Sequence, residues 1–239
     1  MIGEFTILGE RCSGTHYLQA IIEKNFDLNF TQRFGHKHFY IYRNSFENSD
    51  DCLFISIIRD PFDWINSLYL KPWHLSYETA CNKHNFLNHL FYSKWPSPDR
   101  VGTKLVDLNV NIYDNRKKLC SGLEIQEDFN FRTNKKYSNI FECRYVKLDF
   151  MMNDMPTKVK HHYFVKYEDL KNKTDEVLFD IKNTFRIPTK HIQMKDVSSY
   201  KGGSDKEYVS TKYTEFARID IESNKGFQSE LECQLGYIE

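Results

Sequence analysis

The sequence predicts an α/β fold, three layers deep (α/β/α), built around a central parallel sheet. Two observations carry this. Short apolar strands are each followed by a loop and an amphipathic helix, an order that implies parallel strands joined by right-handed crossovers. The run Cys52–Ile58, "CLFISII", is apolar almost without interruption, as a parallel strand covered on both faces must be. A chain of 239 residues with 40% hydrophobic and 15% aromatic content is large enough to close one such core.

The elements follow in order. Glu4–Leu8 reads as a short buried strand. Thr15–Asn25 follows as a helix, with Tyr17, Leu18, Ile21 and Ile22 at helical spacing. Arg33–Tyr42 is aromatic and basic and fits a strand or a loop. After Cys52–Ile58, Pro61 opens a helix that Phe62–Leu70 continues, since proline is accepted in a first turn. From Lys71 to about Ser138 the pattern weakens, punctuated by Trp73, Trp95, Pro96 and Pro98. Such a long irregular insertion is often a lid or a binding loop. Asn139–Asp154 is the best amphipathic helix, with Ile140, Phe141, Leu148, Met151 and Met152 in one stripe. Arg144 lies on that stripe, so its charge needs a partner, and Glu168 or Asp169 is the expected one. Tyr163–Lys166 is a short strand running into "YEDL", and a helix spans about Asp175 to Phe185. No repeat or low-complexity linker divides the chain, so a single domain over 1–239 is expected.

Composition excludes several functions. Lys+Arg and Asp+Glu are both 33, which argues against bulk binding to nucleic acid or an acidic membrane. No apolar run approaches the ~18 residues of a membrane span. The opening "MIGEFTILGE" carries an early acid and does not read as a signal peptide, so a cytoplasmic location is expected. The six cysteines form no C-x-x-C pair, which favours free thiols over a metal cluster or a disulfide scaffold.

Ligands of such sheets bind at the carboxyl ends of the strands. Three segments end there: Glu10–Thr15, Arg59–Pro61 and Tyr167–Asp169. In the first, "ILGERCSGTHYL", Gly9 and Gly14 have the spacing of a Walker phosphate loop. Thr15 stands where that loop needs lysine, and His16 where it needs a hydroxyl. Backbone N–H groups around Cys12–Thr15 and the positive end of the following helix still favour an anion. Arg11 adds a guanidinium fork, and Ser13 and Thr15 add hydroxyl donors. In the second, "IIRDPFDWINSLY", Arg59 ends a buried strand and Ser67 follows eight residues later. The pair can grip a second phosphate group, unless Arg59 simply pairs with Asp60 or Asp63.

These pieces resemble the sulfotransferases that use 3′-phosphoadenosine 5′-phosphosulfate (PAPS). "CSGTHY" is similar to their 5′-phosphosulfate loop. The Arg59–Ser67 spacing is similar to their 3′-phosphate motif, and Tyr167-Glu168-Asp169 to a later "YED" whose tyrosine lies by the adenine. The bacterial and viral-type branch looks closest, with "GER-x-SGT", a Lys-His pair, "RDP-x-DW", "PWH" and a helix like "NIFECRYVKL". The ordered set spans roughly residues 3–186.

The resemblance implies a P-loop nucleotide-hydrolase-like architecture. It implies Arg11, Cys12, Ser13, Gly14, Thr15, His16 and Tyr17 on the phosphosulfate, Arg59 and Ser67 on the 3′-phosphate, and Tyr167 by the adenine. It also implies Lys201 and Gly202 in a closing loop, His38 as base and Lys37 as the charge stabiliser. PAPS would be the donor, adenosine 3′,5′-bisphosphate (PAP) the product, and no metal is required. Cys12 stands where the family has lysine, with Arg11 one place earlier to take that role. His36 competes with His38 as base. The segment 71–138 would shape the pocket of a small-molecule or glycan acceptor, a glycan hydroxyl being preferred. Trp73 and His74 either line it or fix a turn. Two other classes stay open: a nucleotide-binding phosphotransferase, and an inactive PAP-binding module.

Overall fold

The structure, a computed structural model, describes residues 1–38, 46–72, 74–97, 124–197 and 212–239. Trp73, Lys201 and Gly202 lie outside the described residues, as does 98–123 within the expected acceptor insertion.

Strand β1 (Glu4–Leu8) leads into helix α1 (Thr15–Asn25) and the two-residue strand β2 (Asn29–Phe30). Strand β3 (Cys52–Ile58) is buried at every position and leads into α2 (Pro61–Leu70). The short helices α3 (Tyr77–Ala80) and α4 (Lys83–Asn88) come next. An antiparallel hairpin of β4 (Ser93–Ser97) and β5 (Glu124–Asp128) pairs Ser93 with Asp128. Helix α5 (Ile140–Asp149) passes through a π turn, Phe150–Asp154, into α6 (Met155–Lys158). Strand β6 (His162–Lys166) is followed by α7 (Tyr167–Asn172) and α8 (Thr174–Phe185). The tail carries α9 (Arg218–Glu222) and α10 (Ser229–Gln234).

Among the described residues the main sheet is four-stranded in the order β2-β1-β3-β6, and every pair in it is parallel. The period-two alternation of a strand sorts its side chains onto two faces. Phe5, Ile7, Leu53, Ile55, Ile57 and Val165 pack against α1 and α8. Leu8, Cys52, Phe54 and Ile58 face the other way, onto Leu148, Phe150, Met151 and Met155. Helices therefore cover both faces, as an uninterrupted apolar β3 requires. A third cluster joins α2, α4 and the start of α5 around Trp64, Phe86, Phe91 and Tyr137.

Two expectations need correction. The helix expected over Asn139–Asp154 is not uniform. Pro156 has no N–H and its ring crowds the preceding turn, and the chain widens just before it, Met155 N–H reaching Phe150 O instead of the usual partner. Arg144 is buried on α5 as expected, but its partner is Glu232 of α10, not Glu168 or Asp169. Among the described residues Cys12, Cys52, Cys81, Cys143 and Cys233 are free thiols. No described helix is long and apolar enough to cross a membrane.

Candidate functional site

The strand order makes β1 a branch point. The chain leaves β1 toward β2 on one side and crosses back to β3 on the other. In sheets of this kind the ligand crevice falls between the loops at the carboxyl ends of the two strands where the order reverses, here β1 and β3. Residues 9–14 and Arg59 occupy those two ends.

The loop after β1 depends on two glycines. A Cβ on Gly9 would lie 2.7 Å from Ile57 Cγ2 and 2.8 Å from its carbonyl, so only glycine lets the loop backbone rest on β3. Gly14 has φ 87°, and a Cβ there would stand 2.3 Å from Tyr167 Cδ2. Gly14 is also the N-cap of α1, and having no side chain it supplies no cap hydrogen bond to that helix start. The first N–H groups of α1 therefore meet the crevice with the positive end of the helix dipole behind them. Two loop carbonyls are tied back to neighbouring side chains. Arg11 O accepts from Trp64 Nε1 at 2.9 Å, and Cys12 O from Arg59 Nη1 at 2.9 Å. Ser13 and Thr15 are buried within the turn, whereas His16 is exposed.

Arg59 is 8% exposed. Its guanidinium carbon sits 5.2 Å from the centroid of the Tyr167 ring, the ring that also covers Gly14. Nη2 is a distant 3.9 Å from Asp63, and Asp60 caps α2 rather than pairing with Arg59. Among the described residues, the buried Nε–H of Arg59 has no hydrogen-bond partner. Buried donors are rarely left so. Ser67, buried one turn beyond Asp63, hydrogen-bonds the Cys12 thiol, whose pKa burial pushes up against the pull of Ser67, Arg11, Arg59 and Lys71. Gly14, Cys12, Arg59, Ser67 and Tyr167 thus converge on one edge of the crevice.

Two expected ligands point elsewhere. Arg11 was expected to fork onto phosphate, but its guanidinium is 2% exposed and turned inward. Nε and Nη2 bond Glu10 at 3.4 and 3.2 Å, Nη1 bonds Ser93 Oγ, and Nη2 stands 3.6 Å from Asp128. Lys147 completes the cluster, its ammonium touching Glu10, Asp128 Oδ2 at 2.7 Å and His38 O at 2.9 Å. Two buried acids need two buried cations, and Arg11 is one of them. Burial works against ionisation of Glu10, but Lys147 and Arg11 outweigh it and hold the group low; at Asp128 burial wins and pushes it up to about 6. Glu10, Asp128 and Cys143 lie close enough to share an ion, but the Lys147 ammonium already contacts both carboxylates. Tyr17 is the second departure. Its ring joins the core under α8, and its hydroxyl bonds Asp196 at 2.9 Å.

The histidine segment is bound to the loop after β1 through Gly9. Gly9 N–H donates to Lys37 O at 3.0 Å, and His38 Nδ1 donates to Gly9 O at 2.6 Å. A carbonyl only accepts, so His38 carries its proton on Nδ1 and a lone pair on Nε2. His36 has the opposite arrangement, its Nδ1 accepting from His38 N–H at 3.3 Å. Burial, with the nearby His36 and Lys37, pulls His38 well below its ordinary pKa; burial and Lys37 take His36 to about 4. Lys37 Nζ reaches within 3.5 Å of His16 Nδ1 at the start of α1, and burial lowers its pKa to about 8. His74 sits in the left-handed region at φ 67°, and burial, then Arg11 and His36, lower it to about 3.

Sequence reasoning missed Lys147, Asp128 and Glu10. One signal was available: Lys147 lies three residues after Arg144, so both cations fall on the buried side of α5. No protein-family model, curated protein or solved structure matches the chain.

Proposed function

We propose that the chain is a PAPS-dependent sulfotransferase of P-loop-like architecture, passing a sulfuryl group to an acceptor hydroxyl. The carrying observation is the unpartnered, buried Nε–H of Arg59 beside the uncapped start of α1, with Tyr167 between them. In this reading the two features serve as separate anion grips, as a nucleotide with phosphates at both its 3′ and 5′ positions needs. The 5′-phosphosulfate would lie on the backbone of Cys12–Thr15 with His16 nearby, the 3′-phosphate on Arg59 and Ser67, and the adenine against Tyr167.

His38 is the base in this reading, which the hydrogen bonds of the two rings favour over His36. Its Nδ1–H is fixed by Gly9, which leaves the Nε2 lone pair for the acceptor proton, whereas the Nδ1 lone pair of His36 is already taken. In the transfer, the bond from sulfur to the phosphate oxygen breaks and a bond from sulfur to the acceptor oxygen forms. The acceptor proton goes to His38 Nε2, and PAP departs with the electron pair. Lys37, beside the start of α1, stabilises the charge growing on the leaving oxygen. With Arg11 held in the buried cluster, Lys37 takes over the part expected of Arg11. A glycan hydroxyl is the proposed acceptor, and among the described residues of the expected acceptor segment Tyr77 is exposed.

The test is selective stabilisation. PAP should raise the melting temperature through binding to the native state alone, with ADP and ATP far weaker. Equal stabilisation by ATP would remove the basis for assigning a 3′-phosphate site.

A further inference from the structure

One peptide group at the end of β3 is held on both of its edges. The carbonyl of Arg59 accepts from Arg144 Nη2 at 3.0 Å. The N–H of Asp60, on the same peptide plane, donates to Glu168 Oε1 at 2.9 Å. Both holders are themselves held by the C-terminal segment. Glu232 grips Arg144 through both carboxylate oxygens, Oε1 to Nε at 2.5 Å and Oε2 to Nη2 at 2.9 Å. Tyr237 donates its hydroxyl to Glu168 Oε2 at 3.0 Å. Glu232 and Arg144 are buried.

The orientation of this plane sets ψ of Arg59 and φ of Asp60. The first aims the Arg59 side chain; the second aims Asp60, the cap of α2, and with it Ser67. We infer that Glu232 and Tyr237 are positioning residues for the 3′-phosphate grip, acting through Arg144 and Glu168 on the Arg59–Asp60 peptide. This rests on the sulfotransferase reading and adds that the C-terminal segment determines selectivity for a 3′-phosphorylated nucleotide. Neither residue touches the ligand.

The experiment compares PAP with AMP, which lacks only the 3′-phosphate, by calorimetry on the full chain and on Glu232→Gln and Tyr237→Phe. Thermal melts monitor folding. The ratio of the two dissociation constants isolates the 3′-phosphate contribution. The native chain should prefer PAP strongly. Each variant should lose about tenfold of that preference, near the worth of one hydrogen bond to a charged group, while AMP binding stays within about twofold. Tyr237→Phe removes a single hydroxyl and keeps the test valid if Glu232→Gln fails to fold. Unchanged ratios in the variants, or equal losses for PAP and AMP, overturn the positioning role and leave the sulfotransferase reading standing. A native ratio near one removes the 3′-phosphate site itself, and the inference with it.

Discussion

Replacing Lys147 by methionine isolates the buried charge cluster. The side chain is 1% exposed, and its ammonium touches Glu10, Asp128 Oδ2 at 2.7 Å and His38 O at 2.9 Å. With Arg11 the four groups sum to zero charge; without Lys147 they sum to minus one inside the protein. Removing one partner from a buried ionic pair costs about 3–5 kcal/mol. In a domain of this size that lowers the melting temperature by roughly 10 °C. The loss depends on pH. Asp128, already pushed up to about 6 by burial, rises further once Lys147 is gone. A carboxyl whose folded pKa exceeds its unfolded value stabilises below the unfolded value and loses that contribution as pH rises through the folded one. The deficit is therefore smaller at about pH 5 than at about pH 8. Adding Asp128→Asn restores neutrality and should recover about 2 kcal/mol at the higher pH. Urea unfolding of the native chain, the single variant and the double variant at both pH values reads all of this. A loss under about 1 kcal/mol, or one independent of pH, refutes the account of the cluster as a charge balance.

The site predicts more. Arg59→Ala should weaken PAP binding by about 2–4 kcal/mol and Ser67→Ala by about 1 kcal/mol, by calorimetry. Unchanged affinity in Arg59→Ala would make the second motif purely structural. His38→Ala should cut turnover about 10²–10⁴-fold with PAP affinity nearly intact, and His36→Ala should do far less; the reverse order would reassign the base. The proposed transfer needs His38 neutral and Lys37 protonated. The rate should therefore climb at a pH well under the ordinary histidine value of 6.5, hold a plateau, and decline as Lys37 titrates at about 8. A rise centred at 6.5 would mean that His38 is not the group titrating. Gly14→Ala must clear the Tyr167 ring at φ 87°, so it should abolish PAP binding; retained affinity would show that the ring yields.

Elements with an uninterrupted pattern were legible in the sequence. Glu4–Leu8, Thr15–Asn25 and Cys52–Ile58 stand where periodicity and apolar runs set them, and Pro61 starts α2. β2 was invisible because two residues have no period; it exists through pairing with Glu4 and Phe5. At the site, the residues of the two loops were legible, because Gly9, Gly14, Arg59 and Ser67 keep local spacing. Side-chain direction was not. Arg11 turns inward because Lys147, 137 residues away from Glu10, brings the rest of a charge cluster to it. Arg144 finds Glu232 across 88 residues. Spacing along the chain carries no information about such pairings.

Gly9 links its two neighbours so closely that their lengths are no longer independent. Its N–H meets Lys37 and its carbonyl meets His38, while three residues on, Cys12 O is fixed by Arg59. An added or deleted residue between Gly9 and Cys12 would have to break one anchor or the other. Insertions should be rejected within the loop itself. Fixing both ends also means that any motion carrying the loop after β1 away from β3 carries the imidazole of His38 with it. Loop and imidazole would open and close as one body, and slow amide exchange at Gly9 would report on both together.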